Sequence, residues 1–275
     1  LIGRQHLIGG DSTERLPVLF EESVAAAEEI TEALGAQVRR AVELLIQSFS
    51  ESAADARRQG LPDPLPVRTH DSYEAAVTVM MRVVFLLFAE ERGLLPSGEL
   101  FEQGYGIAGE LERLVARQTE ESEEALDATS LTWHRLLATS QALYQGASFE
   151  NLRMPAYGGS LFDPARFAFL TATNEQGTLA ITVSDRVMLH VLRSVQIAEI
   201  KGEARRISFR DIDVEQIGYI YEGLLGYTAA IAGEVTVGLK GTLGEEPEIP
   251  LAKLEELATA NTDPPRPPSP PSGPP

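Results

Sequence analysis

Apolar residues recur at helical spacing along most of the chain, and strand-like alternation is confined to short stretches. From Phe20 to about Arg58, Val24, Ala27, Ile30 and Leu34 make one apolar face, and Val38, Val42, Leu45, Ile46 and Phe49 make the next. Gly35 between them is positioned to end the first helix, and Gly60-Leu-Pro-Asp-Pro-Leu-Pro66 breaks the second. Asp71 to Glu91 is the strongest helix, with Asp71 and Glu74 spaced as a capping box and Gly93 and Pro96 as stops. Its apolar residues cover nearly every face, so it is expected to be central and buried. Leu100–Gln118, Ser130–Tyr144, Ser184–Val195 and Pro250–Ala260 are further helices, and Thr119–Glu124 is an acidic turn. Leu179–Val183 is a short strand, Gly158–Pro164 a turn before a short helix, and Val235–Gly244 a hairpin or loop.

The segment from Ile212 to Tyr227 is the most informative. Asp213 and Gln216 are spaced as a capping box, and Ile212 and Ile217 as the hydrophobic staple around it. Ile217, Ile220, Tyr221, Leu224, Leu225 and Thr228 then fall on one helical face. Gly218 and Gly223 each weaken a helix by roughly 1 kcal/mol relative to Ala and suggest close approach by a neighbour. The fold class is therefore mainly α: a multi-helix globular domain over residues 1–260, with a few short strands and a sub-boundary near 60–70. Residues 261–275 form a proline-rich tail that cannot bury a core and is expected to be disordered.

Composition narrows the function classes. The 275 residues are 43% hydrophobic and 23% charged, as in globular proteins, and the absence of cysteine excludes disulfides and thiolate chemistry. A net charge of −18 makes the chain as a whole a poor nucleic-acid clamp. The apolar run at 77–88 is interrupted by Arg82 and short of about 20 residues, so no membrane span is expected. Beginning at Leu1 without a charged-then-apolar signal, the chain reads as part of a longer protein.

Several motifs resemble chemistry without its context. Gly104-Tyr-Gly-Ile-Ala-Gly109 matches the dinucleotide fingerprint, but no strand precedes it, so it reads as a loop leading into a helix. Asp263-Pro-Pro-Arg266 resembles the amine-binding motif of DNA methyltransferases with its aromatic replaced by Arg266. Asp185 with Glu199 and Lys201 resembles half of a metal-dependent nuclease site, although Asp185 opens a helix rather than lying on a strand. His6, His70, His134 and His190 show no metal-ligand spacing, and no nucleophile elbow accompanies them. Arg82 in an apolar helix calls for a partner if buried, and Glu222 or Glu90 is the expected one; an exposed position at the helix edge is the alternative.

Four segments in order resemble a family. They are Ala89-Glu-Glu-Arg-Gly-Leu-Leu-Pro96, Tyr157-Gly-Gly-Ser-Leu-Phe-Asp-Pro164, Ile207–Gly218 with Tyr221-Glu-Gly-Leu-Leu225, and Glu245-Glu-Pro-Glu-Ile-Pro-Leu251. Together they are similar to the helical region preceding the catalytic core of type IIG-like restriction–modification enzymes and of adenine-specific methylase subunits in the BREX and DISARM phage-defence systems. The resemblance implies S-adenosylmethionine-dependent methylation of adenine N6 by a parent enzyme in the bacterial cytoplasm. In such enzymes the cofactor and catalytic motifs follow the Tyr-Glu-Gly-Leu-Leu segment, so no catalytic, cofactor-binding or metal residue carries over to this chain. What carries over is a supporting role beside the methyltransferase domain, along the DNA channel or against another defence-system subunit. Arg39, Arg40, Arg205, Arg206 and Arg210 are the candidate phosphate contacts, and Arg82, Tyr221 and Glu222 the structural signature. A scaffold without DNA contact and a metal-dependent nuclease fragment are the alternatives.

Overall fold

A computed structural model describes residues 16–200, 203–210, 212, 214–239 and 248–260. The chain is mainly helical, as the periodicity implies. It divides into two compact units, Leu1–Ala229 and Ala230–Pro275. Gly60–Pro66, where the sequence suggests a sub-boundary, lies within the first unit and links its first two helices. The tail at 261–275, with Asp263–Arg266, lies outside the described residues, as do Asp213, Lys201 and His6.

The first unit is built from α1 (Leu16–Arg58), α2 (Thr69–Glu91), α3 (Glu99–Gly104), α4 (Glu110–Glu120), α5 (Leu131–Gln145), α6 (Asp185–Gln196) and α7 (Val214–Leu225). Two antiparallel hairpins interrupt them: β1 (Ala147–Phe149) with β2 (Leu152–Met154), and β3 (Ile197–Ile200) with β4 (Glu203–Arg206). α1 does not stop at Gly35. Leu34, Val38, Ala41, Val42, Leu45, Phe49 and Ala53 form one buried stripe across that position. Burying such side chains is worth about 1.5–3 kcal/mol each for the larger ones, against roughly 1 kcal/mol for a helical glycine. The stripe packs mainly on α6, and also on α2 and α7.

α2 is the central helix, with Val79, Met80, Val83, Leu86 and Leu87 at 3% exposure or less. It is long and apolar enough to cross a membrane by length and composition, which the sequence reading did not expect; 78% of its most apolar window is buried in the fold. The proposed capping box does not form: the helix begins at Thr69, and Asp71 pairs with Arg68 at 3.0 Å. The expected helix over 100–118 is split by the Gly104–Gly109 loop into α3 and α4.

Leu179–Val183 is not a strand: it bends at Ala180 and Ile181 and makes only a single bridge, between Thr173 and Leu179. Ala180 N–H donates to the Ala172 carbonyl at 2.9 Å, and side chains take up much of the rest of its backbone. The Ser48 and Ser52 hydroxyls of α1 reach the Thr182 carbonyl at 3.3 and 3.0 Å, Thr182 N–H donates to Ser52 Oγ at 3.2 Å, and the Trp133 indole donates to the Ile181 carbonyl at 3.2 Å. Ile181 and Val183 are fully buried, which fixes the segment's conformation through packing.

In the second unit β5 (Thr236–Gly238) pairs antiparallel with β6 (Glu248–Pro250), and α8 (Leu251–Ala260) follows directly. The glycine-rich stretch thus contributes one strand of a hairpin, and its residues 240–244 lie outside the described residues.

Candidate functional site

The C-terminal half of α2 is where the family-like segments meet. Arg92 donates to the carbonyls of Arg210 and Ile212 at 3.0 and 3.1 Å, and Arg210 Nε returns a bond to the Glu91 carbonyl at 2.9 Å. Arg92 also lies over the Phe88 ring, 4.7 Å from its centroid. Ten residues before Arg92 on α2, Arg82 Nε donates to the Leu161 carbonyl at 2.7 Å. Phe85 packs edge-on against Phe162 at 5.4 Å. Ala89–Pro96, Tyr157–Pro164 and the start of Ile207–Gly218 are therefore joined through one helix. The fourth segment begins outside the described residues, and its remainder, 248–251, belongs to the second unit.

Arg82 is buried, at 4% exposure. Neither expected partner reaches it. Glu222 is exposed on α7, and Glu90 is engaged elsewhere. No described carboxylate lies within ion-pair distance of Arg82. Desolvation lowers its pKa to about 10, helped by the like charge of Arg166 and opposed by Asp163.

Glu90 closes on the Gly104–Gly109 loop. Its carboxylate accepts the Ile107 N–H at 2.7 Å and the Ala108 N–H at 3.1 Å. A Cβ on Gly106 would stand 3.2 Å from Glu90 Oε2, so glycine is what lets the carboxylate approach. The fingerprint-like loop thus presents amides to an anion, and that anion is the protein's own side chain. Burial raises the Glu90 pKa; the two amides and Arg135 act against that shift, and Glu110 adds to it.

Asp185, one of the nuclease candidates, is fully buried and structural. It accepts Thr132 N–H at 2.9 Å on one oxygen, and Arg117 at 3.0 Å and the Thr129 hydroxyl at 2.5 Å on the other. It caps the first turn of α5, while Ser184 caps its own helix by accepting Val187 N–H. Next to it, buried Glu110 takes the Thr132 hydroxyl, Arg135 and Arg113. Glu199 lies on β3, its N–H bonded to Gln37. Among the described residues no group of three His, Asp or Glu side chains is placed to hold a metal ion.

The candidate phosphate-contact arginines are dispersed among carboxylates. Arg39 pairs with Glu43 at 3.7 Å and stacks on Tyr227, and Arg40 pairs with Glu43 at 2.9 Å. Arg205 pairs with Glu203 at 3.4 Å, Arg206 reaches Glu112 on α4, and Arg210 belongs to the α2 junction. Arg40 lines a groove of about 370 Å³ with Gln37, His190, Arg193 and Glu199. A cleft of about 440 Å³ lies between the end of α1 and residues 172–182.

On α7 the packed face is narrower than the periodicity implies. Leu224 is buried and its carbonyl accepts the Tyr73 hydroxyl at 2.5 Å, but Tyr221 and Leu225 are 38% and 58% exposed. The helix ends at Leu225, so Thr228 never joins its face. A Cβ on Gly218 or Gly223 would meet nothing within 4 Å, so no described neighbour approaches there. Periodicity cannot distinguish a face packed within the chain from an apolar face left open.

Comparison with known protein families, characterised proteins and solved structures finds no match to this chain.

Proposed function

We propose that this chain is a non-catalytic helical part of an S-adenosylmethionine-dependent adenine-N6 DNA methyltransferase or restriction–modification protein acting in phage defence. The observation that carries the reading is the α2 junction. Three of the four family-like segments, separated by more than 40 residues each in sequence, are tied to one helix by Arg82, Arg92 and Arg210. Segments that define a structural unit are more informative than isolated short motifs. In this reading the chain supports the methyltransferase core and the wall of its DNA channel, and the parent enzyme supplies the cofactor site.

The test is methyl transfer from labelled S-adenosylmethionine to DNA. The full-length parent protein labels adenine N6, and the isolated chain does not. Labelling by the isolated chain, or a parent that modifies no adenine, overturns the reading.

A second reading, a protein-interaction scaffold without DNA contact, is favoured by the carboxylate partners of Arg40, Arg205 and Arg206 and by the exposed Tyr221 and Leu225. Charge reversal at Arg40, Arg205 and Arg206 separates the two. Weaker DNA binding by the parent with a shallower salt slope supports DNA contact. Unchanged affinity and slope support the scaffold.

A further inference from the structure

A cavity of about 540 Å³ lies between α1 and the first half of α6, a volume typical of small-molecule sites. Its lining is mostly polar, and the hydrogen-bonding groups there divide unevenly. The donors are largely committed to the protein itself. The Ser48 and Ser52 hydroxyls donate to the Thr182 carbonyl, and the Ser184 hydroxyl faces Asp127 at 3.4 Å. Gln47 Nε2 donates to Glu51 at 2.8 Å. Arg186 places Nε on Glu123 at 3.2 Å and Nη1 on Asp127 at 3.0 Å.

The acceptors are not committed to the same degree. Glu51 gives one oxygen to Gln47 and Asp55 gives one to Arg58, and no described donor takes the second oxygen of either. His190 adds a nitrogen. Its Nε2 lies 3.0 Å from Glu123, which also accepts Gln118 at 2.6 Å. A carboxylate only accepts, so Nε2 carries the proton and Nδ1 of the neutral ring is an acceptor. No described residue bonds that Nδ1, and it is not sealed in the interior, since the buried side-chain atom lacking a partner among the described residues is Gln196 Nε2. Three carboxylates, Glu51, Asp55 and Asp127, thus stand against the Arg186 guanidinium among the described lining residues, on a protein whose net charge is −18. They do not converge as a metal ion requires: among the described residues no group of three His, Asp or Glu side chains is placed to hold one.

We propose that this cavity binds a linear polyamine, held through its ammonium N–H groups by Glu51 and Asp55 on α1 and by Asp127 and His190 Nδ1 across from them. A cavity whose donors are spent and whose acceptors are open selects a ligand that only donates, and an alkylammonium group has three donors and no acceptor. Acceptors spread over two walls suit nitrogens spaced along a chain, where a single ion would reach too few of them. The negative field of the whole protein raises the local concentration of such a cation. Leu44 and His190 also line the adjoining groove, but Arg40 and Arg193 there repel a cation and confine the ligand to the first cavity. The site uses residues of this chain alone and does not depend on the methyltransferase reading.

The experiment titrates the full chain with spermidine by calorimetry at constant ionic strength, and in parallel with hexamethonium, a dication that has no N–H donors. Saturable spermidine binding at one site is expected, weakened about fivefold by Glu51→Gln and further by adding Asp55→Asn. Both positions are exposed on α1, so these variants do not threaten the fold. Glu74→Gln is the control for general charge attraction, since Glu74 pairs with His70 on α2 outside the cavity, and it should leave binding unchanged. Hexamethonium should bind at least about fivefold more weakly than spermidine. Absence of saturable spermidine binding overturns the assignment. So does an equal loss in Glu51→Gln and Glu74→Gln, which would reduce the effect to net charge, or equal binding of the two cations, which would remove the role of the N–H donors. Loss of methyl transfer in the parent with spermidine binding intact would count against the proposed function and not against this site.

Discussion

Asp185 and Arg82 are both buried charges on helices, and the fold treats them differently. Asp185 has an acceptor role on each oxygen, filled by an amide, a hydroxyl and a guanidinium. Arg82 has one carbonyl partner and a like charge nearby. A buried ion can be stabilising for the fold only when its hydrogen-bond capacity is filled, because desolvation otherwise outweighs what is gained. Asp185 meets that condition and reads as architecture. Arg82 does not: its burial leaves most of its donor capacity without an acceptor among the described residues.

The comparison can be broken most forcefully at Asp185. Asp185→Ala removes the buried partner of Arg117 and the cap on the first turn of α5, and should cost about 3–5 kcal/mol, measured by urea unfolding. A loss below about 1 kcal/mol would show that the exposed pair Arg117 already makes with Glu121 at 3.4 Å is enough for it and that the Asp185 network is not structural. Glu90 is intermediate. Glu90→Ala leaves the Ile107 and Ala108 amides without their acceptor and should cost about 1–3 kcal/mol.

Glu90 also has a pH signature. Its folded pKa is raised, so the folded state binds the proton more readily than the unfolded one. Its contribution is fully present in acid and is lost as pH rises from the unfolded carboxylate range through the raised folded value. The stability difference between wild type and Glu90→Gln, followed across that window, should shift in that sense; a flat difference would remove the desolvation argument.

Gly106→Ala should cost about 1 kcal/mol, since the new Cβ meets Glu90 Oε2 at 3.2 Å and the carboxylate must shift. In Glu90→Ala the same substitution should be nearly neutral, and the double-mutant cycle measures the coupling. The smallest effect is expected at Arg82 itself. Arg82→Met should leave stability within about 1 kcal/mol of wild type, because a poorly compensated charge is exchanged for an apolar chain of similar length. A loss as large as that of Asp185→Ala would place Arg82 in the same structural class and dissolve the contrast.

The helices were largely legible because one apolar face per element is a direct imprint of packing. Where two elements share a stripe, as across Gly35, local signals mislead: a glycine stops a helix only when no continuous core holds it. The β3–β4 hairpin escaped notice because Glu203, Ala204, Arg205 and Arg206 are all exposed and carry no alternation. The burial of Arg82 was foreseeable from its apolar neighbours, but its partner was not. A carbonyl 79 residues away leaves no trace in side-chain identity, whereas a carboxylate partner such as Glu90 or Glu222 is what side-chain identity suggests. Asp185 keeps both meanings in the sequence: a carboxylate at a helix start serves equally well as a ligand or a cap, and only its three-dimensional neighbours show that the helix it caps is α5.

The pairing of α1 with α6 and with Thr182 has a consequence for how the protein comes into being. α1 is made before α6, yet its serines meet a backbone 130–134 residues later in the chain. At a synthesis rate of about 5–20 residues per second, that interval is roughly 7–27 s. During that time the stripe from Leu34 to Ala53 has no α6 to cover it. The nascent chain must therefore carry an exposed apolar helix for many seconds, and its yield in the cell should depend on chaperones more steeply than the stability of the finished fold would suggest.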